Sequence, residues 1–268
     1  ELHARAFHDF EGAGRFIRYV FLTEAGTDDI LAYIDEFLVA NGQQPIPEGS
    51  KFLRLDLNGF AIRVEQHTEF LSFSVIEKGR KQGTGLLGDA FDAANSRLPL
   101  AWARGIPAPV FHAIWLEIGG KPPRGINSEK VGAMMQSRAI ASNLFSDGAA
   151  QLHFAFDIDD AGFSRIAIFN EQISSNRMGR VVQRIVELET YRMLALLGFA
   201  AVREHGATLG RIERTVGSLT TDLAAQIRQS QGQVQQLLSV LSAQAADLEE
   251  IYAKTSYRLA ATKAYEAI

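Results

Sequence analysis

Apolar and polar residues alternate along much of the first two-thirds of the chain. Leu53, Leu55 and Leu57 oppose Arg54 and Asp56, and Leu152, Phe154, Phe156 and Ile158 oppose His153 and Asp157. A period of two puts successive side chains on opposite faces of an extended backbone, which is the pattern of half-buried strands. It predicts strands near Arg15 to Thr23, Lys51 to Asn58, Phe60 to Gln66, Glu69 to Glu77, Val110 to Gly119, Ser137 to Leu144, Ala149 to Ile158 and Ser164 to Phe169. Turn pairs such as Asn58-Gly59 and Asp147-Gly148 join neighbours that then pair antiparallel. Helices are predicted over Thr27 to Asn41, with Thr27 as N-cap and Asn41-Gly42 as the stop, and over Leu86 to Ser96. The proline-bearing pieces Pro45 to Pro47 and Lys121 to Arg124 read as surface loops.

From Asn176 the period becomes helical. Leu209, Ile212, Val216, Leu219, Leu223 and Ile227 step by threes and fours, and Val234, Leu238, Leu241, Ala245 and Leu248 repeat the pattern after Gly232. Such stripes seek a partner surface, so two or three long helices are expected, folded back as a hairpin or extended as a coiled-coil stalk; the hairpin is the simpler packing. The fold class is therefore α+β, a mostly antiparallel sheet with flanking helices followed by long C-terminal amphipathic helices. The domains expected are a head over 1–172 and a long-helix region over 173–268.

Composition narrows the function. With 268 residues and 47% hydrophobic content the chain can bury a substantial core. Acidic residues outnumber basic ones by 31 to 27, which disfavours a nucleic-acid partner. No cysteine is present, so there is no disulfide framework and no thiol chemistry. The longest apolar run, Met193 to Val202, falls well short of the roughly 20 residues that cross a bilayer. The chain starts without Met and stops at Ile268 inside a helical pattern that has no stop signal, as a piece of a longer protein would.

Candidate chemistry gathers at a few places. Arg180, Arg184, Glu187 and Tyr191 fall on one helical face at spacings of three and four, and Glu189 with Arg192 makes a second pair. They form either a surface lattice, worth about 0.2–0.5 kcal/mol per pair, or a buried network in which Glu187, Glu189 and Arg192 lie under the sheet and must pair. Ser175, Arg177 and Arg180 at the start of this helix offer capping groups and cations to an anion or an acidic segment. His67 and Glu69, on one face of a strand, would need a third ligand from His3, His112 or His153 to hold a metal, so none is expected. A hairpin contact, with Glu69 pairing Arg63 or Arg5, is the better role. Gly83 to Gly88 spells GxGxxG without the parallel βαβ context that dinucleotide binding requires, so it reads as a loop, and no cofactor is expected. No nucleophile elbow, P-loop or zinc-protease motif occurs, and the chain is expected not to be an enzyme.

Four segments carry a family resemblance: ELHARAF from Glu1, HTEF from His67, GFSR from Gly162 and GRVVQRIVELETYRMLALL from Gly179. Together they resemble a bacterial family of membrane-anchored proteins known only as a domain of unknown function. The chain departs from that family's pattern at Ala6, where members carry proline, and at AFDIDDAGF from Ala155, where members show an Arg and a His. The resemblance implies a membrane anchor in segments beyond this sequence, with the head in the cytoplasm, and the long helices offer a surface for a homo-oligomer. With the absent catalytic motifs and the long amphipathic helices, the expectation is a non-enzymatic interaction or scaffold head. An alternative comes from the order of parts, which resembles that of bacterial two-helix magnesium channels of the Gly-Met-Asn type. In that alternative the head senses a ligand or divalent ion, and Asp157, Asp159 and Asp160 are where the ion would be felt.

Overall fold

The computed structural model describes residues 8–23, 26–80, 90–95, 100–145, 147–226 and 231–266. The ELHARAF segment with His3 and Arg5, the Gly83 to Gly88 run and residues 86–89 and 96 of the helix expected over Leu86 to Ser96 lie outside the described residues. Of that helix, Ala93–Asn95 forms a single 3-10 turn. Strands form at all the expected places: β1 Ala13–Leu22, β2 Phe52–Leu57, β3 Phe60–Gln66, β4 Phe70–Arg80, β5 His112–Gly119, β6 Ile140–Phe145, β7 Ala150–Ile158 and β8 Phe163–Asn170. The helices are α1 Thr27–Ala40, α2 Leu100–Ala103, α3 Ser128–Met135, α4 Ser175–Gln226 and α5 Gln231–Glu266. The short α2 and α3 carry no pattern long enough to read from sequence; Asn127 caps α3 by accepting from Lys130 N–H at 3.0 Å.

The strands make one 8-stranded sheet in the order β2-β3-β4-β1-β5-β8-β7-β6. Every pairing is antiparallel except β5 with β8. The Asn58-Gly59 turn works as expected: Gly59 takes φ 92, and Leu57 pairs Phe60 across it. Helix α1 begins differently from expectation. Gly26, in a left-handed conformation, is the N-cap, Thr27 is the first helical residue, and no side chain caps the helix. Asp28 and Asp29 in the first turn supply the negative charge that this end favours.

Two cores flank the sheet. On one face Ile17, Tyr19, Phe73, Trp115 and Phe163 meet Ile30, Ile34 and Leu38 of α1 and Val131 and Met135 of α3. On the other, Phe16, Ile76, Leu116, Ile166 and Ile168 meet Phe10 and the first turns of α4 through Met178, Val182 and Val186. Helices on both faces bury the central strands on both sides, so β1 and β5 are buried along almost their whole length. The half-buried expectation holds only toward the sheet edges. In β7 the alternation itself breaks: the register with β8 shifts between Phe154 and Ile158, leaving Phe156 and Ile158 51% and 55% exposed, while His153 is buried.

The chain divides into two compact units, Glu1–Glu187 and Leu188–Ile268, with the boundary inside α4. The second unit is an antiparallel helical pair. Tyr191 stacks on Tyr265 at 5.2 Å, a Cβ on Gly198 would collide with the Thr262 hydroxyl, and Arg211 bonds Asp247 at 2.8 Å. The seam is not the one the periodicity suggested. Gln244 and Thr255 are buried, whereas Leu238, Leu241 and Leu248 are 57%, 39% and 42% exposed. From the α4 stripe Ile212 is buried but Leu209 and Val216 are exposed. Close approach at a small residue such as Gly198 selects a seam of modest side chains and turns the larger ones outward.

Candidate functional site

Charged side chains inside the sheet are the most costly feature of the first unit, because each must find a partner where water cannot reach. Arg15 and Arg18 are three residues apart on β1 and therefore lie on opposite faces of the sheet.

Arg15 is fully buried on the α1 face. Its Nε donates to Glu117 Oε1 at 2.5 Å, and its guanidinium lies 5.0 Å from the Trp115 ring centroid. The same Glu117 oxygen accepts from Trp115 Nε1 at 2.9 Å and from Phe91 N–H at 3.2 Å. Glu77 approaches Arg15 at 4.0 Å. Burial pushes the Glu117 carboxyl above its ordinary pKa, with Arg15 and the indole pulling the other way. An oxygen already holding three donors is poorly placed to take a proton from a substrate. Beside this cluster Arg165 spans Asp159 at 2.6 Å and the Phe91 ring at 4.9 Å. Burial likewise pushes the Tyr19 hydroxyl up to about 12.

On the opposite face Arg18 and Arg63 grip one carboxylate. Arg18 Nη2 donates to Glu65 Oε2 at 2.8 Å and Arg63 Nη2 to Glu65 Oε1 at 2.7 Å, while Arg18 Nε reaches Ser74 Oγ at 3.1 Å. The register makes this happen: Ser74 on β4 sits between Arg18 on β1 and Arg63 on β3, a row across three strands. These residues were not singled out from the sequence as a cluster. The available signal was the charged positions inside otherwise apolar strands, as in RFIRYVFL and HAIWLEIG.

The residues singled out from sequence lie along α4, in the turn between β3 and β4 and at the end of β7. Arg177, Arg180 and Arg184 are exposed, and α4 begins at Ser175. Glu187 accepts from Gln183 at 2.8 Å within the first unit. Glu189 and Arg192 belong to the second unit, where Glu189 is fully buried and takes both Arg192 Nε at 2.6 Å and Nη2 at 2.9 Å. The Glu189 bonds hold the guanidinium still more firmly in its charged form. Of the six residues, Glu189 and Arg192 make a bidentate pair and Tyr191 stacks on Tyr265.

His67 and Glu69 do not share a strand face, because they sit in the tight turn between β3 and β4. There His67 N–H donates to Phe70 C=O at 2.8 Å and the two rings stack at 4.0 Å. Of the acidic trio, Asp159 accepts from the Ala161 and Phe163 amides at 2.9 and 2.8 Å and from Arg165, and Asp157 accepts from Ser137 Oγ. Asp157 and Asp160 are exposed, and the Asp159 bonds fix the turn between β7 and β8. Among the described residues no group of three or more His, Asp or Glu is placed to hold a metal ion.

His153 on β7 is a buried titratable group in the first unit. Its Nδ1 hydrogen-bonds with Ser142 Oγ at 2.7 Å, and Nε2 is buried without a hydrogen-bond partner. Burial lowers its pKa, so the folded protein resists the protonation that the unfolded chain accepts near about 6.5. Its contribution is complete above that value and is lost as pH falls toward the folded value. The thermal midpoint should therefore drop between pH 7.5 and 5.5 by more in the native protein than in His153→Gln; equal slopes would remove the assignment.

A helix-flanked, mostly antiparallel sheet with internal ion pairs, joined to a long helical pair, places the chain in the α+β class. The family model described as protein of unknown function DUF3422 matches residues 1–268, and the chain belongs to that family. No curated protein and no solved structure matches it. No helix among the described residues is long and apolar enough to cross a membrane.

Proposed function

We propose that this chain is a non-enzymatic interaction module whose sheet unit is a rigid head and whose helical pair assembles with a second copy of itself. One observation carries the reading: the pair turns its large apolar side chains to solvent. Phe199 is 60% exposed and Val202 45%, and on α5 Leu238, Tyr252 and Leu259 stand at 57%, 68% and 43%. Exposed apolar surface of that extent marks a contact surface. A second copy suits it because the charges along α5 change sign: Asp247, Glu249 and Glu250 precede Lys254, Arg258 and Lys263. Antiparallel pairing of two such helices about a two-fold axis sets acids against bases in both directions.

The non-enzymatic part is supported by how the buried charges are used, since Glu65 and Glu117 serve arginines of the same sheet. Following the family resemblance, the reading also places the chain at a membrane through other segments, with the head in the cytoplasm. Sedimentation equilibrium tests the assembly. The native protein should associate as concentration rises, and the double variant Phe199→Glu, Leu248→Glu should associate several-fold more weakly while retaining its circular dichroism. A native protein that is monomeric throughout would overturn the reading, as would turnover of a nucleotide, ester or phosphate library by the purified chain.

A further inference from the structure

The two edges of the sheet are treated differently. At one, β2 carries Arg54 and Asp56, whose side chains are 29% and 65% exposed. Charges on an edge strand are a common guard against unwanted strand pairing. At the other edge β6, IASNLF, has no charge and no proline, and its four central residues are all exposed. Leu144 stands 62% open on it.

The backbone of β6 is also set to pair. Phe156 N–H donates to Ala139 C=O at 3.0 Å, and the register from Ile140 with Ala155 to Phe145 with Ala150 continues unbroken from that contact. In an antiparallel ladder the direction of the peptide groups alternates. Residues 139, 141, 143 and 145 therefore point their N–H and C=O at β7, and Ile140, Ser142 and Leu144 point theirs outward. Among the described residues no backbone hydrogen bond reaches those outward groups.

We infer that β6 is a strand-addition surface, and that its occupant is β6 of a second copy, paired antiparallel about a two-fold axis at Ser142. The strand fits itself in that register. Ser142 faces Ser142 of the other copy, Ile140 faces Leu144, and every outward N–H meets an outward C=O. The exposed leucine gains an apolar cross-strand neighbour twice over. No charge is brought against a like charge. An edge contact alone is small, so the association should be weak and concentration-dependent. It is a separate interface from the helical one proposed above.

The absence of cysteine gives a direct test, since Ser142→Cys places a single thiol at the two-fold axis. Cα atoms of a hydrogen-bonded antiparallel pair lie about 5.5 Å apart, which is within disulfide reach. Under mild oxidation Ser142→Cys should form a covalent dimer several-fold faster than Asp56→Cys, a control thiol on the guarded edge. Adding Leu144→Lys, an exposed change, should return the rate to that of the control without altering the thermal midpoint. Adding Phe199→Glu and Leu248→Glu should leave the rate unchanged, which separates this interface from the helical one. Crosslinking no faster than the control, or indifferent to Leu144→Lys, would overturn the assignment.

Discussion

Glu65→Ala should cost about 3–5 kcal/mol of unfolding free energy, well above the roughly 1 kcal/mol of an average substitution. Glu65 is 2% exposed, and each of its oxygens holds a different arginine, Arg18 or Arg63, both themselves buried. Removing the carboxylate takes the shared anion from between two guanidinium groups that cannot reach bulk water. The loss is thus mostly the cost of stranded charge rather than the net worth of the pairs. Arg54→Ala on the neighbouring edge strand, where the side chain is 29% exposed, should change stability by no more than about 1 kcal/mol, as surface pairs do. Urea denaturation of the two variants decides the matter. A Glu65→Ala loss near 1 kcal/mol would show that water reaches the cluster in solution.

Arg15→Met should be comparably damaging at neutral pH, with a loss of about 3–5 kcal/mol, but here the loss should depend on pH. The substitution keeps length and apolar packing against Trp115 while removing the cation that Glu117 and Glu77 face. Glu117 already has its pKa raised by burial, against the pull of Arg15, so without Arg15 it rises further. A carboxyl with a folded pKa above its unfolded one favours folding at low pH, and that contribution disappears as pH rises through the folded value. The deficit of Arg15→Met should therefore be largest at pH 7 to 8 and shrink as the pH is lowered toward the ordinary carboxylate range. Glu117→Gln added to Arg15→Met should recover part of the loss at neutral pH and flatten the profile. A deficit equal at pH 5 and pH 8 would mean that Glu117 is not the group left exposed to the change.

Local features of this molecule were legible because they depend on near neighbours in sequence. The strands follow from a period of two, the Asn58-Gly59 turn from the conformational freedom of glycine, and the Glu189–Arg192 bond from a separation of three on one helix. The polar clusters were not legible in the same way. Arg15 and Glu117 are 102 residues apart and meet only because β1 and β5 become neighbours in the order of the sheet. Sequence showed two arginines three apart in β1, so that a half-covered sheet would leave one of them facing water. Helices on both faces turned them into buried ions that need partners. Nor could periodicity locate the break in β7, since the bulge that exposes Phe156 and Ile158 inserts residues without altering composition.

The long helices mark the same limit. Their existence was determined by sequence alone, because threes-and-fours spacing without a proline has no other regular solution. Which side of each helix closes the pair was not, since α4 and α5 both carry more than one acceptable stripe. Packing chose the face where Gly198 lets the backbones approach, and so left Leu238, Leu241 and Leu248 outside. By itself, then, the sequence determined the α+β class, the strands, the helical period and the residues able to ionise. Tertiary structure alone decided which of those ions are buried, who neutralises them, and which apolar surfaces stay open, because burial and pairing depend on segments far apart in the chain being brought together.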